Sequence, residues 1–171
     1  MSYPVCYISL IGPGTRNEVW EIGGYRVQHG RDEYGATLGL LLHNPSYGRN
    51  RQTTVRAIAE FTDGATLWAL DPHQIISPLH AVFQQYGMQP RWAGWESITS
   101  VARGWLYAVG YRHDELPSSP PSLSTLCGIN PPPVEDLGFA QLEAAWVGRW
   151  HRWISREADP PLFAPRREVT Q

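Results

Sequence analysis

Polar residues capable of chemistry follow two apolar segments of the chain. Residues 36–42 lead into Asn44, and residues 65–70 lead into Asp71 and His73. If both segments are parallel strands, their carboxyl ends lie at the same edge of a sheet, where α/β proteins commonly build sites. An amide, a carboxylate and an imidazole can orient water, move protons or read the edge of a base. We therefore predict Asn44, Asp71 and His73 as catalytic residues.

The loop after Asn44 has features of an anion site. It enters a predicted helix, whose first backbone N–H groups and positive dipole end favour a phosphate. Arginine side chains at positions 49 and 51 can add phosphate contacts, and a tyrosine at position 47 offers a ring on which a base can stack. We predict a phosphate- or nucleic-acid-binding set on this loop: Ser46, Tyr47, Arg49 and Arg51.

The alternative for the same residues is an ordinary structural role. Residues 44–46, Asn-Pro-Ser, are typical of a turn and helix cap, Asp71 can cap the next helix, and the neighbouring histidines can be solvated. The chain has no Walker A loop, no Gly-x-Gly-x-x-Gly fingerprint and no Cys/His spacing of a zinc site. We therefore predict neither a cofactor nor a metal.

The pattern of apolar segments and turns along the chain predicts an α/β fold with a mixed central sheet. Residues 5–11 read as a strand, and Gly23-Gly24 as the turn of an antiparallel hairpin between residues 18–22 and 25–29. The unbroken apolar run 36–42 is typical of a central strand buried on both faces, and it forms a βαβ unit with a helix and residues 65–70. The second half is predicted to be mainly helical, with helices at 74–86, 97–109 and 136–156.

Length and composition favour one domain. A chain of 171 residues with 42% hydrophobic residues suits a single domain over residues 1–158, followed by a Pro-rich tail at 159–171. Without a long apolar run or a secretory signal, we expect a soluble cytoplasmic protein that does not contact membranes. The two cysteines, Cys6 and Cys127, are expected to be free thiols.

The charge balance excludes a uniform nucleic-acid-binding coat. All 14 basic residues are arginines, but 16 acidic residues leave a net charge of −2, so a nucleic-acid site must be a local arginine cluster. A GC-rich genome, which encodes arginine in place of lysine, is the simpler explanation for the arginine-only usage, and bidentate phosphate binding is the alternative. In the last helix, the stripe of Leu142, Trp146, Trp150, Trp153 and Ile154 is predicted to face the core, with Arg149, Arg152 and Arg156 on another face.

The strand ending in Leu-Leu-Leu-His-Asn-Pro-Ser, residues 40–46, resembles an uncharacterised bacterial family. In that family an apolar strand ends in Leu-Asn-Pro-Ser-Thr and is followed by a helix and a strand that runs into Asp-Pro. More distantly, the Asn-Pro motif resembles the first motif of the uracil-DNA glycosylase superfamily. That resemblance implies that Asn44 positions the attacking water and that Asn130 and Pro131 belong to a loop gripping DNA. The first motif lacks the glycine and catalytic acid found in some branches.

Two functional hypotheses follow. The first is a nucleic-acid- or nucleotide-directed protein, either a uracil-DNA-glycosylase-like hydrolase or a binding relative without activity; the sequence does not decide whether it is an enzyme. The second is a non-catalytic accessory protein of phage or plasmid type that binds a host protein. Its interface anchors would be Trp92, Trp95 and Trp105, because tryptophan and arginine dominate interface energetics.

Overall fold

The structure, a computed structural model, describes residues 4–11, 21–27, 35–41 and 51–156, and of residues 35–41, 51 and 54 the backbone alone. The described residues form one α/β domain with a helical second half, as predicted. The strands are β1 (Val5–Ile11), β2 (Glu21–Val27), β3 (Gly35–Leu41), β4 (Thr66–Ala69) and β5 (Gly94–Ser97). The helices are α1 (Arg51–Thr62), α2 (Pro72–Gln85), α3 (Ile98–Ala108), α4 (Pro120–Leu126) and α5 (Ala140–Arg156).

The described strands form a mixed sheet in the order β3-β2-β1-β4-β5. β1 to β3 form an antiparallel meander, whereas β1, β4 and β5 are mutually parallel. Pairing of Ile11 with Glu21 and of Glu21 with Leu41 aligns the carboxyl ends of β1 and β3 at one edge. The antiparallel arrangement predicted for the N-terminal strands is confirmed by the pairing of β1 with β2.

The prediction that residues 36–42 form the central strand was wrong. β3 lies at one end of the described sheet, since β2 pairs with both β1 and β3 while β4 occupies the other side of β1. β3 and β4 are parallel and joined through α1, but two strands separate them. The βαβ unit with neighbouring strands is β4–α2–β5, and the sequence reading did not find β5.

Gly23 and Gly24 do not form a hairpin turn, which corrects a second prediction. Both lie inside the continuous strand β2. A Cβ atom on Gly23 would overlap the backbone of Ala140 at the start of α5, and one on Gly24 would lie 2.7 Å from a ring carbon of Phe61. The two glycines are needed because a helix on each face of the sheet approaches the strand closely.

Two hydrophobic clusters cover the opposite faces of the sheet. On one face α1 and α2 pack through side chains that include Val55, Ile58 and Leu79. On the other face α3, α4 and α5 pack through Ala102, Leu123 and the α5 tryptophans. None of the described helices has the length and apolar character needed to cross a membrane.

The apolar stripe of α5 is only partly buried. Trp146, Trp150 and Ile154 lie in the core, as predicted, whereas 42% of Leu142 and 41% of Trp153 is exposed. The Trp146 indole N–H donates a hydrogen bond of 2.9 Å to Ser124 Oγ. Because the stripe is wider than the surface α5 presents to the sheet, its outer members reach solvent.

Candidate functional site

A cavity of about 800 Å³ opens at the carboxyl ends of the parallel strands. Its lining includes Leu10 of β1, Leu70 after β4 and Ser97 of β5. From β1 the chain continues to β2 on one side, and from β4 it continues through α2 to β5 on the other. A crevice between strands whose connections leave in opposite directions is the usual ligand position in open α/β sheets.

Hydrogen bonds join the end of β4 to the start of α3 beside the cavity. The hydroxyl groups of Ser97 and Thr99 each donate to the carbonyl oxygen of Leu70 at 3.0 Å. Ser97 also caps α3, because its Oγ accepts the backbone N–H of Ser100 at 3.2 Å. The end of β4 and the start of α3 are therefore joined, which sets the position of the residues that follow Leu70.

Asp71 and His73 both line the cavity, at the start of α2. The Asp71 carboxylate accepts the backbone N–H of His73 at 3.1 Å and caps the helix, while Pro72 occupies its first turn. The sequence placed these two residues at the carboxyl edge of a strand, and the structure brings them there. Asp71 therefore caps α2, as the structural alternative predicted, and it also lines the cavity.

Three charged residues that sequence reasoning missed also line the cavity: Glu96, Arg103 and Glu143. Arg103, one turn and a half after the Ser97 cap, lines the cavity and donates from Nη2 to the carbonyl oxygen of Pro117 at 2.9 Å. Glu143, in the first turn of α5, accepts a hydrogen bond of 2.8 Å from Ser9. Burial raises the pKa of the Glu143 carboxyl group above its ordinary value, and the bond from Ser9 opposes part of that rise.

The start of α5 is anchored to β2, which determines where Glu143 lies. The Glu21 carboxylate accepts the backbone N–H of Ala140 at 3.0 Å, so a side chain from a distant strand satisfies one of the free donors of the helix. Gly23 lets the backbone of Ala140 approach the strand. The only local signal for this arrangement is the Gly-Gly pair itself.

The cavity wall offers groups of both charge signs. Arg103, His73 and the hydroxyl of Ser100 can donate hydrogen bonds, and Asp71 and Glu96 can accept them. Trp95 adds an indole ring to the lining. Such a wall suits a ligand that carries both an anionic group and a planar heteroaromatic group.

Most of the predicted phosphate loop lies outside the described residues. This applies to Asn44, Ser46, Tyr47 and Arg49, while Arg51 is the first residue of α1 and only its backbone is described. β3 ends at Leu41, on the same edge of the sheet as the cavity. The convergence of the Asn44 loop with Asp71 and His73 stays a prediction.

The three tryptophans of the alternative interface are partly buried and are not brought together. Trp92 and Trp95 contact each other edge to face, at 4.9 Å between ring centroids, and pack against the α1–α2 side of the core. Trp105 packs against the cluster on the other face. Asn130, the remaining predicted nucleic-acid contact, is exposed after α4 and does not line the cavity.

Within the described ranges, no three His, Cys, Asp or Glu side chains form a group that could hold a metal ion. No protein-family model matches the chain, and no curated protein matches it significantly.

Proposed function

We propose that the protein binds nucleic acid and receives one nucleotide in the cavity at the carboxyl ends of β1, β4 and β5. The observation that carries the proposal is that Arg103, Asp71 and His73 all line a cavity of about 800 Å³ at the switch point of the sheet. A cavity of several hundred cubic ångströms suits a ligand the size of a nucleotide.

The roles follow from the chemistry of the wall. The Arg103 guanidinium is the phosphate contact, since its planar donors match phosphate oxygens. The indole of Trp95 offers an apolar surface to the base. Base excision is part of the same hypothesis, with the Asp71 carboxylate activating water. The Glu143 carboxyl group, whose pKa burial raises, can retain a proton for the leaving group at a higher pH than an exposed glutamate.

The experiment measures fluorescence anisotropy of labelled single-stranded, duplex, uracil-containing and mismatched DNA at two salt concentrations, followed by alkali treatment to reveal abasic sites. We expect binding that weakens as salt rises. Strand cleavage by alkali would identify excision, which Asp71→Asn should abolish while binding remains, because asparagine retains the acceptor for the His73 N–H. Asn44→Ala reports separately on the loop after β3. Failure to bind any of these DNAs would overturn the proposal.

A further inference from the structure

A second concavity, of about 250 Å³, lies along the last part of α5 and shares no lining residue with the cavity described above. Three arginines of α5 line it together with Trp153 and Ile129; we call Arg149, Arg152 and Arg156 the arginine face. Residues three and four positions apart on a helix are neighbours on its surface, so this spacing places all three guanidinium groups on one side. None of the described residues lining this concavity is acidic.

The central arginine is held in place by the fold. Arg152 donates from Nε to the carbonyl oxygen of Gly148 at 3.3 Å, and its guanidinium group lies 5.7 Å from the centre of the Tyr25 ring. These contacts restrict its side chain before any ligand arrives, which lowers the entropic cost of binding. Arg149 and Arg156 on either side are exposed.

Trp153 contributes an aromatic surface to the same concavity. Its indole N–H donates to the carbonyl oxygen of Cys127 at 3.0 Å, so the ring is oriented, yet 41% of the residue is exposed. A partly exposed tryptophan beside guanidinium groups is the combination that binds single-stranded nucleic acid, with phosphates on the arginines and an unpaired base on the ring. Asn130 directly follows Ile129 and lies exposed beside this surface.

We propose that the arginine face and Trp153 form a second contact surface for single-stranded nucleic acid. The observations that support this surface are contacts made by α5, and they are independent of the cavity at the carboxyl edge of the sheet. Thirteen residues of helix separate Glu143 from Arg156, a distance of about 20 Å at 1.5 Å per residue. A bound strand of several nucleotides can span that distance, so the two surfaces can hold one strand.

The experiment titrates a fluorescein-labelled oligothymidylate of fifteen nucleotides into the full chain over a range of salt concentrations. The test variant is Arg149→Gln with Arg156→Gln, which leaves the packed Arg152 in place. The matched control is Arg91→Gln with Arg112→Gln, which removes the same charge from exposed arginines outside both cavities. Trp153→Phe tests stacking separately, with thermal unfolding measured for every variant.

We expect the test variant to bind at least tenfold more weakly than the control. Its salt dependence, the slope of log K against log salt, should fall by about 1.4 because each lost phosphate contact removes about 0.7 for a single strand. Trp153→Phe should weaken binding with the salt slope unchanged. Equal affinity of test and control variants would overturn the proposal, as would equally tight binding of polyglutamate, which would indicate an acidic protein partner. Arg103→Gln, measured alongside, reports on the cavity alone and separates failure of that proposal from failure of this one.

Discussion

The hydroxyl of Ser9 in β1 donates a hydrogen bond of 2.8 Å to the carboxyl group of Glu143, 134 residues further along the chain. This bond crosses from the central strand to the first turn of α5 at the edge of the sheet where the cavity opens. Burial raises the pKa of this carboxyl group, and the bond from Ser9 opposes only part of that rise. The ionised form of Glu143 therefore destabilises the folded protein.

Glu143→Gln should remove a pH dependence of stability. Since the pKa of Glu143 is higher in the folded than in the unfolded chain, its contribution to stability is fully present below the unfolded pKa and is lost as pH rises through the folded pKa. Glutamine retains an acceptor for Ser9 but does not ionise. Thermal unfolding at a series of pH values from 4 to 8 should show the variant gaining stability relative to wild type as pH rises. A difference in stability between variant and wild type that stays constant from pH 4 to 8 would contradict a raised pKa for Glu143.

Gly23→Ala should destabilise the fold by about 2 kcal/mol or more, because the new methyl group meets the backbone of Ala140, which cannot move without shifting α5. Urea unfolding measures the loss. Gly94→Ala is the control, since a Cβ atom there meets nothing within 4 Å. If both variants lose the same stability, close approach of α5 is not the reason for glycine at position 23.

Ser124→Ala should cost about 1 to 3 kcal/mol of unfolding free energy. The buried Ser124 hydroxyl accepts from the Trp146 indole at 2.9 Å and donates to the carbonyl oxygen of Ile129 at 2.7 Å, so its loss leaves both groups without this partner. Ser122→Ala, on the exposed side of α4, should change stability by less than about 0.5 kcal/mol. Equal effects in urea unfolding would show that the buried bonds contribute nothing.

Both cysteine thiols should resist modification in the folded protein. Burial raises the pKa of Cys6 to about 12 and that of Cys127 to about 11, so few thiolates exist at pH 8. The two residues belong to clusters on opposite faces of the sheet and are free, as the sequence predicted. A thiol-reactive chromogenic disulfide should react with the native protein far more slowly than with the denatured chain. Fast reaction of either thiol before unfolding would contradict the burial.

Local signals in the sequence identified α2, α3 and most of α5, but α4 was missed because its first residues are the prolines of a stretch predicted as a loop. The predicted range 74–86 matches α2 closely, with Asp71 as its cap, and the predicted start at residue 97 matches the Ser97 cap of α3, because capping residues act within a few positions. The same local signal placed Asp71 and His73 at the end of a strand. That part of the candidate site could be read from the chain alone.

The sequence has no comparable local pattern that reveals contacts between distant segments. Gly23-Gly24 has the pattern of a turn, yet it lies in a strand because Ala140 and Phe61 approach it from opposite faces. The order of the sheet depends on which strands pair with β1. Because β2 and β4 are its neighbours, β3 lies at one end of the described sheet and not at its centre. Glu143 reaches the cavity only because α5 docks on β2, so sequence spacing could not identify it.

One matched pair of variants tests whether the carboxyl-edge cavity binds a nucleotide of a nucleic acid. Arg103 lines the cavity, whereas Arg91 lies before β5 at the amino edge of the sheet, 4.0 Å from Asp63. Anisotropy titrations of a labelled oligonucleotide would compare Arg103→Gln, Arg91→Gln and wild type, each checked for thermal stability. We expect Arg103→Gln to weaken binding about tenfold, as loss of a charged hydrogen bond implies, and Arg91→Gln to leave it unchanged. Identical affinities for the two stable variants would contradict nucleotide binding in this cavity.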